Sequence, residues 1–126
     1  MELGWKMRVY LGGSKGAWRI KFMRRFPQWE CYNPFKDSTQ SCLAGFTIED
    51  LNAIDECDLI VFYIDYPEHR GSCLEGGYAF AKGKPIITIW LHKGMAPSML
   101  LGVSRRVSTS FEEAMKWIEK KYGDKT

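Results

Sequence analysis

No apolar run in this sequence approaches the roughly 20 residues that a bilayer-spanning helix needs, and its opening, Met1-Glu2-Leu3-Gly4-Trp5-Lys6, lacks the apolar stretch of a secretory leader. Cys31, Cys42, Cys57 and Cys73 form no CxxC pair, and neither histidine stands at zinc-finger spacing from them. No metal site is expected, and reduced thiols in a cytoplasmic protein are. Charge of one sign is also lacking: 18 basic residues against 15 acidic leave a net +3. Nucleic-acid binding calls for a clustered basic stripe, whereas Arg24-Arg25 and Arg105-Arg106 are short pairs that read as solvated surface. Neither nucleic acid nor membrane is an expected partner. Repeats, linkers and low-complexity segments are absent, and 126 residues with a 45% hydrophobic and 14% aromatic content fit one folded domain spanning residues 1–126.

What is present alternates between strand and helix. Residues 7–11 (MRVYL) read as a buried strand closed by Gly12-Gly13. Trp18, Phe22 and Phe26 fall on one face of a helix over 17–26, which Pro27 stops. Residues 29–35 read as a second strand broken at Asn33-Pro34, and 36–46 as a loop. Thr47 is the expected cap of a helix to Cys57, with Ile48, Leu51 and Ile54 as its stripe. The uninterrupted run 59–64 (LIVFYI) is the best central strand, because strands covered on both faces need not alternate. A helix capped by Ser72 runs to about Lys82, where Gly83 and Pro85 end it; 85–91 is the next strand. A loop with a short helix over 92–104, an edge strand at 107–109 and a helix capped by Ser110 with Glu113 complete the chain.

This alternation implies an α/β three-layer sandwich, flavodoxin-like or Rossmann-like, with a five-stranded parallel sheet in the order 2-1-3-4-5. Ligands of such sheets sit beyond the carboxyl ends of the strands, at the switch point between strands 1 and 3. That rule selects the loop 11–17 and the loop 65–75. In the first, Gly12, Gly13 and Gly16 permit close backbone approach, and Ser14 and Lys15 could hold a hydroxyl or phosphate; a plain glycine turn is the alternative. The segment has neither GxGxxG nor Walker A spacing, no acidic pair of a receiver and no Ser/Thr-rich flavin loop, so no organic cofactor is expected. In the second, capping at Ser72 puts Glu75 in the first turn of a helix, where the macrodipole favours the ionised carboxylate. Glu75 either balances that dipole or acts as a nucleophile. Gly76-Gly77 behind it costs about 1 kcal/mol per glycine relative to alanine, which points to close packing or a pocket wall.

Residues 71–79 (GSCLEGGYA) followed by Gly83-Lys84-Pro85-Ile86 resemble the G-x-x-x-E-x-G-x-A and GKP signature of nucleoside 2-deoxyribosyltransferases. Residues 49–54 (EDLNAI) resemble that family's acidic helix segment, and Val9-Tyr10-Leu11-Gly12-Gly13 its first strand. Trp18-Arg19 and Tyr32-Asn33-Pro34 resemble a branch of the same superfamily, so the likeness runs in order from about residue 7 to 91. It implies cleavage or transfer of the N-glycosidic bond of a (2′-deoxy)nucleoside or its 5′-monophosphate through a glycosyl-Glu75 intermediate. Asp50 would protonate the leaving base and Tyr10 would orient Glu75. Gly12, Gly13, Ser14, Lys15, Trp18, Arg19, Asn33 and Gly71 would line the substrate. Assembly of at least two chains, one completing the site of the other, is implied as well, and the aromatic residues Trp5, Trp29 and Trp117 are compatible with it.

One departure stands out. Many transferases of the family carry an Asp six residues before the nucleophile, where this chain has His69, followed by Arg70. The related 2′-deoxynucleoside 5′-monophosphate N-hydrolases lack that Asp and bind a phosphate near it, so His69, Arg70, Ser14 and Lys15 form a candidate phosphate site. Taken without the resemblance, Asp50 reads as an exposed carboxylate in a first turn and Tyr10 as core. The rival readings are a Cys73-His69 nucleophile pair, a nucleotide-cleaving TIR-like domain, and a non-catalytic nucleotide-binding module.

Overall fold

The computed structural model describes residues 6–38 and 42–124. Five parallel strands form one sheet: β1 (Arg8–Gly13), β2 (Glu30–Tyr32), β3 (Leu59–Ile64), β4 (Ile86–Trp90) and β5 (Arg106–Ser108), in the order β2-β1-β3-β4-β5. Among the described residues six helices connect or flank them: α1 (Trp18–Arg25), α2 (Pro34–Asp37), α3 (Leu43–Glu56), α4 (Arg70–Ala81), α5 (Ser98–Val103) and α6 (Phe111–Tyr122). The expected α/β sandwich and strand order are those observed. No helix among the described residues is long and apolar enough to cross a membrane.

Strand alternation divides the core in two. Val9 and Leu11 of β1, Leu59 and Val61 of β3, and Ile87 and Ile89 of β4 face α1 and α6, meeting Trp18, Phe22, Met115 and Ile118. Tyr10, Ile60, Phe62 and Ile86 face the other way, toward Ala53 and Ile54 of α3, Ala79 of α4 and Leu100 of α5. Each fully buried aliphatic or aromatic side chain here contributes roughly 1.5–3 kcal/mol. β3 pairs with β1 over residues 59–63 and with β4 over residues 60–64, placing Gly12 beside Phe62 and Gly13 beside Tyr63. Gly13 ends β1 at φ 103°, and a Cβ there would lie 2.2 Å from the Tyr63 carbonyl oxygen, so only glycine fits.

Several local expectations are corrected. The second strand stops at Tyr32 because the Asn33 side chain accepts a hydrogen bond from the Phe35 amide and Pro34 opens α2. The expected loop over 36–46 therefore contains helical residues on both sides of 39–41, which lie outside the described residues. α3 starts four residues before Thr47, capped by Cys42, whose thiol accepts from the Gly45 amide; Thr47 lies inside the helix, donating to the Leu43 carbonyl. Likewise α4 starts at Arg70 after His69, so Ser72 is a buried residue of the first turn and Glu75 falls in the second. Trp29 is 5% exposed and stacks on Phe26 at 4.4 Å, so it belongs to the core and offers nothing to an interface. Trp117 is partly buried against the same core, and Trp5 lies outside the described residues. At the other end, Ser110 caps α6 as expected, accepting from the Glu113 amide.

Candidate active site

The carboxyl ends of β1 and β3 meet the sides of α3 and α4, and three side chains converge there from distant parts of the chain. Tyr10 leaves β1 toward α4 and donates its hydroxyl proton to Glu75 Oε2 at 2.8 Å. Gly12 makes room for this, since a Cβ on it would lie 2.7 Å from the Phe62 ring and 3.0 Å from the Tyr10 ring. Asp50 faces the same space from α3, buried, and accepts a hydrogen bond on Oδ1 from Ser38. The Tyr32 hydroxyl in turn bonds Ser38, and the Tyr32 ring stacks on Tyr10 at 5.6 Å.

Glu75 and Asp50 open onto one cleft of about 260 Å³. Phe35 and Phe46 give it aromatic lining, and Gly13, Glu68, His69 and the first turn of α4 line it as well. Burial pushes the Glu75 carboxyl up to about 7, partly offset by the Tyr10 hydrogen bond, increased by the charge of Asp50 and reduced again by Arg19. Glu75 also lies in the second turn of α4, beyond the first turn where the macrodipole favours an ionised carboxylate, so the expected first-turn placement is corrected. Asp50 is also raised, first by burial, with Ser38 opposing and Glu49 adding to the shift. Burial raises Tyr10 strongly, so its phenol remains a donor. Glu75 thus titrates near neutrality beside a permanent donor and a second carboxyl, an arrangement suited to nucleophilic or acid–base work.

The sequence matches no protein-family profile and no curated protein. Among solved structures, it is similar to a 2-deoxyribosyltransferase from the psychrotolerant bacterium Bacillus psychrosaccharolyticus, with a TM-score of 0.71 and 14% identity over 86% of this chain and 90% of that one. It is also similar to the CMP N-glycosidase BcmB of Clostridium botulinum, with a TM-score of 0.63 and 24% identity over 89% of this chain and 98% of that one. The chain has the nucleoside 2-deoxyribosyltransferase-like fold.

Within this deoxyribosyltransferase-like fold the candidate residues fall into two groups. Glu75, Asp50, Gly13, His69 and Gly71 line the cleft, with Tyr10 directly behind Glu75. The rest serve its frame or stand outside it. Arg19, 2% exposed, donates to the carbonyls of Leu11, Gly13 and Ser14, and its guanidinium lies between the rings of Trp18 and Phe35. Burial pushes it down to about 10, which leaves it cationic at neutral pH. Trp18 stacks on Tyr63 at 4.9 Å in the opposite core. Asn33 caps α2, and Ser14 accepts from the Asp65 amide. Lys15 rests 5.2 Å from the centre of the Phe35 ring, and Arg70, its side chain 88% exposed, pairs with Glu68. Of the four groups of the candidate phosphate site, His69 lines the cleft itself, Lys15 and Arg70 contact the cleft-lining Phe35 and Glu68, and Ser14 follows Gly13.

Cys73 Sγ lies 3.7 Å from His69 Nδ1, but burial and the charge of Glu68 push the thiol up, against activation as a nucleophile. Among the described residues, no three His, Cys, Asp or Glu side chains group closely enough to hold a metal ion. Sequence reasoning missed Ser38, Phe35 and Phe46. No spacing signal connects Ser38 to Asp50, whereas the alternation of Phe46 with Asp50 at i, i+4 would have shown a shared helix face had the start of α3 been placed at Leu43.

Proposed function

We propose that this chain breaks the N-glycosidic bond of a (2′-deoxy)nucleoside or its 5′-monophosphate by way of a covalent glycosyl-Glu75 intermediate. The observation that carries the reading is the Tyr10–Glu75 hydrogen bond of 2.8 Å in a cleft that Asp50 also lines. With Oε2 engaged by Tyr10, Glu75 Oε1 is the attacking atom. It bonds to C1′ as the C1′–N bond breaks; the electron pair goes to the base nitrogen, and Asp50 supplies the proton the base needs. The negative charge at Glu75 stabilises the oxocarbenium-like transition state. Water or a second base then attacks C1′, as the C1′–O bond to Glu75 breaks, and gives its proton to the Asp50 carboxylate, which frees Glu75, restores the acid and gives hydrolysis or transfer. Phe35 and Phe46 supply aromatic lining for a planar base, and His69, Gly71 and Ser72 line the same cleft for the rest of the substrate.

The experiment incubates wild type and Glu75→Ala with deoxynucleosides and their 5′-monophosphates, with and without an acceptor base, and follows free base by chromatography. Wild type is expected to release base and Glu75→Ala to lose at least about a thousandfold in rate, as removal of a nucleophile does. Release that needs an acceptor identifies a transferase, and release in water alone a hydrolase. Undiminished release by Glu75→Ala overturns the mechanism. Nucleotide binding by the wild type with no release of base makes the chain a binding module.

A further inference from the structure

Resting on that function, we propose that Tyr32 and Ser38 form a directed hydrogen-bond relay that positions Asp50 as proton donor to the leaving base. Asp50 has two carboxyl oxygens, and Ser38 donates to Oδ1. A hydroxyl has one proton, so with that proton spent on Asp50 the bond between Tyr32 and Ser38 runs from the phenol to Ser38 Oγ. The chain is therefore polarised in one direction, Tyr32 to Ser38 to Asp50. Occupation of Oδ1 by a donor directs the transferable proton to Oδ2, the oxygen left for the substrate.

Three elements fix this geometry. Tyr32 ends β2, its ring held against Tyr10; Ser38 follows α2 directly and is 6% exposed; Asp50 is 7% exposed on α3. The titratable groups that act with Asp50 are Glu49 on its own helix, Tyr32 from β2, Tyr10 from β1 and Glu75 from α4. The stacked tyrosines thus serve two carboxyls: Tyr10 holds the nucleophile and Tyr32, through Ser38, holds the acid. Ser38 and Tyr32 touch no reacting atom and are positioning residues. Their contribution is confined to the step in which C1′–N breaks and the base receives its proton.

Ser38→Ala, Ser38→Thr and Tyr32→Phe test this beside the wild type, with thermal melting as a check on folding. On ordinary nucleosides kcat is expected to fall about tenfold in Ser38→Ala, a part of what a general acid supplies, with KM little changed. Tyr32→Phe falls less, and Ser38→Thr, which keeps the hydroxyl, recovers the rate. Removing the Ser38 donor raises Asp50 further, so the limb of the pH profile that reports Asp50 moves to higher pH. On 7-methyl-2′-deoxyguanosine or p-nitrophenyl 2-deoxyriboside, whose leaving groups depart without a proton, Ser38→Ala is expected to match the wild type. Equal loss on both kinds of substrate, or a pH profile scaled down without displacement, assigns Ser38 a merely structural role and overturns the relay. Wild-type activity unaltered by Ser38→Ala overturns the relay alone, whereas a wild type that releases no base overturns the proposed function and the relay with it.

Discussion

The two faces of the sheet use the same strands for different ends. On the side of α1 and α6, residues such as Val9, Leu11, Phe22, Val61 and Ile118 pack apolar surface and little else. On the side of α3, α4 and α5, one step along each strand, Ile60, Phe62, Ile64 and Ile86 are apolar too, but Tyr10, level with Ile60, carries its hydroxyl to Glu75, and Asp50 is buried on the same side. The first face can spend its burial on stability. The second places two carboxyls where desolvation raises both of them, a cost for which the proposed function gives a reason. A single residue of offset on β1, from Val9 to Tyr10, separates the two regimes.

The comparison breaks if substitutions on the two faces behave alike. The largest effect is expected from Phe22→Ala, a fully buried ring on the dry face: a loss of about 4 kcal/mol of unfolding free energy in denaturant titration. Base release per folded molecule should be unchanged. Glu75→Gln should do the reverse, removing base release while raising stability at neutral pH. The native carboxyl is raised from 4.5 to about 7. The native state therefore holds a proton that the unfolded chain gives up. Its stabilisation is fully present below pH 4.5 and is lost as pH rises to 7. Glutamine, with nothing to titrate, should lack this decline, so the variant gains about 3 kcal/mol on wild type across that window. Denaturation curves at pH 5 and pH 8 that differ equally for both proteins would contradict it.

The smallest effect sharpens the comparison within α4. Gly76 is packed: a Cβ there would meet Leu100 at 2.4 Å and must displace that side chain. Gly77 has no neighbouring atom within 4 Å of where a Cβ would stand. Gly77→Ala should therefore raise the melting midpoint, by about 1 kcal/mol of stability. A loss of base release in that variant, without loss of stability, would show that the substrate or a second chain approaches Gly77.

How much was legible follows from the range over which each feature is encoded. The run 59–64, the 3.6-residue spacing of Trp18, Phe22 and Phe26, and the Ser110–Glu113 cap are written within a few neighbouring residues, so strand alternation, sheet order and the position of Glu75 beyond β3 could be read directly. Helix starts were less legible at α3 and α4, where Thr47 and Ser72 offer hydroxyls that compete as caps but lie inside the helix.

The sequence by itself determined a parallel α/β sheet and the loops on which chemistry could lie, because hydrophobic period, caps and turn residues are local properties. Only the tertiary structure decided that Tyr10 reaches Glu75 across 65 positions, that Ser38 holds Asp50, that Arg19 braces the backbone of residues 11–14 while Trp18 packs in the opposite core, and that Glu75 titrates near neutrality. Those features depend on which distant surfaces exclude water from a side chain and which donor is brought within 3 Å of it.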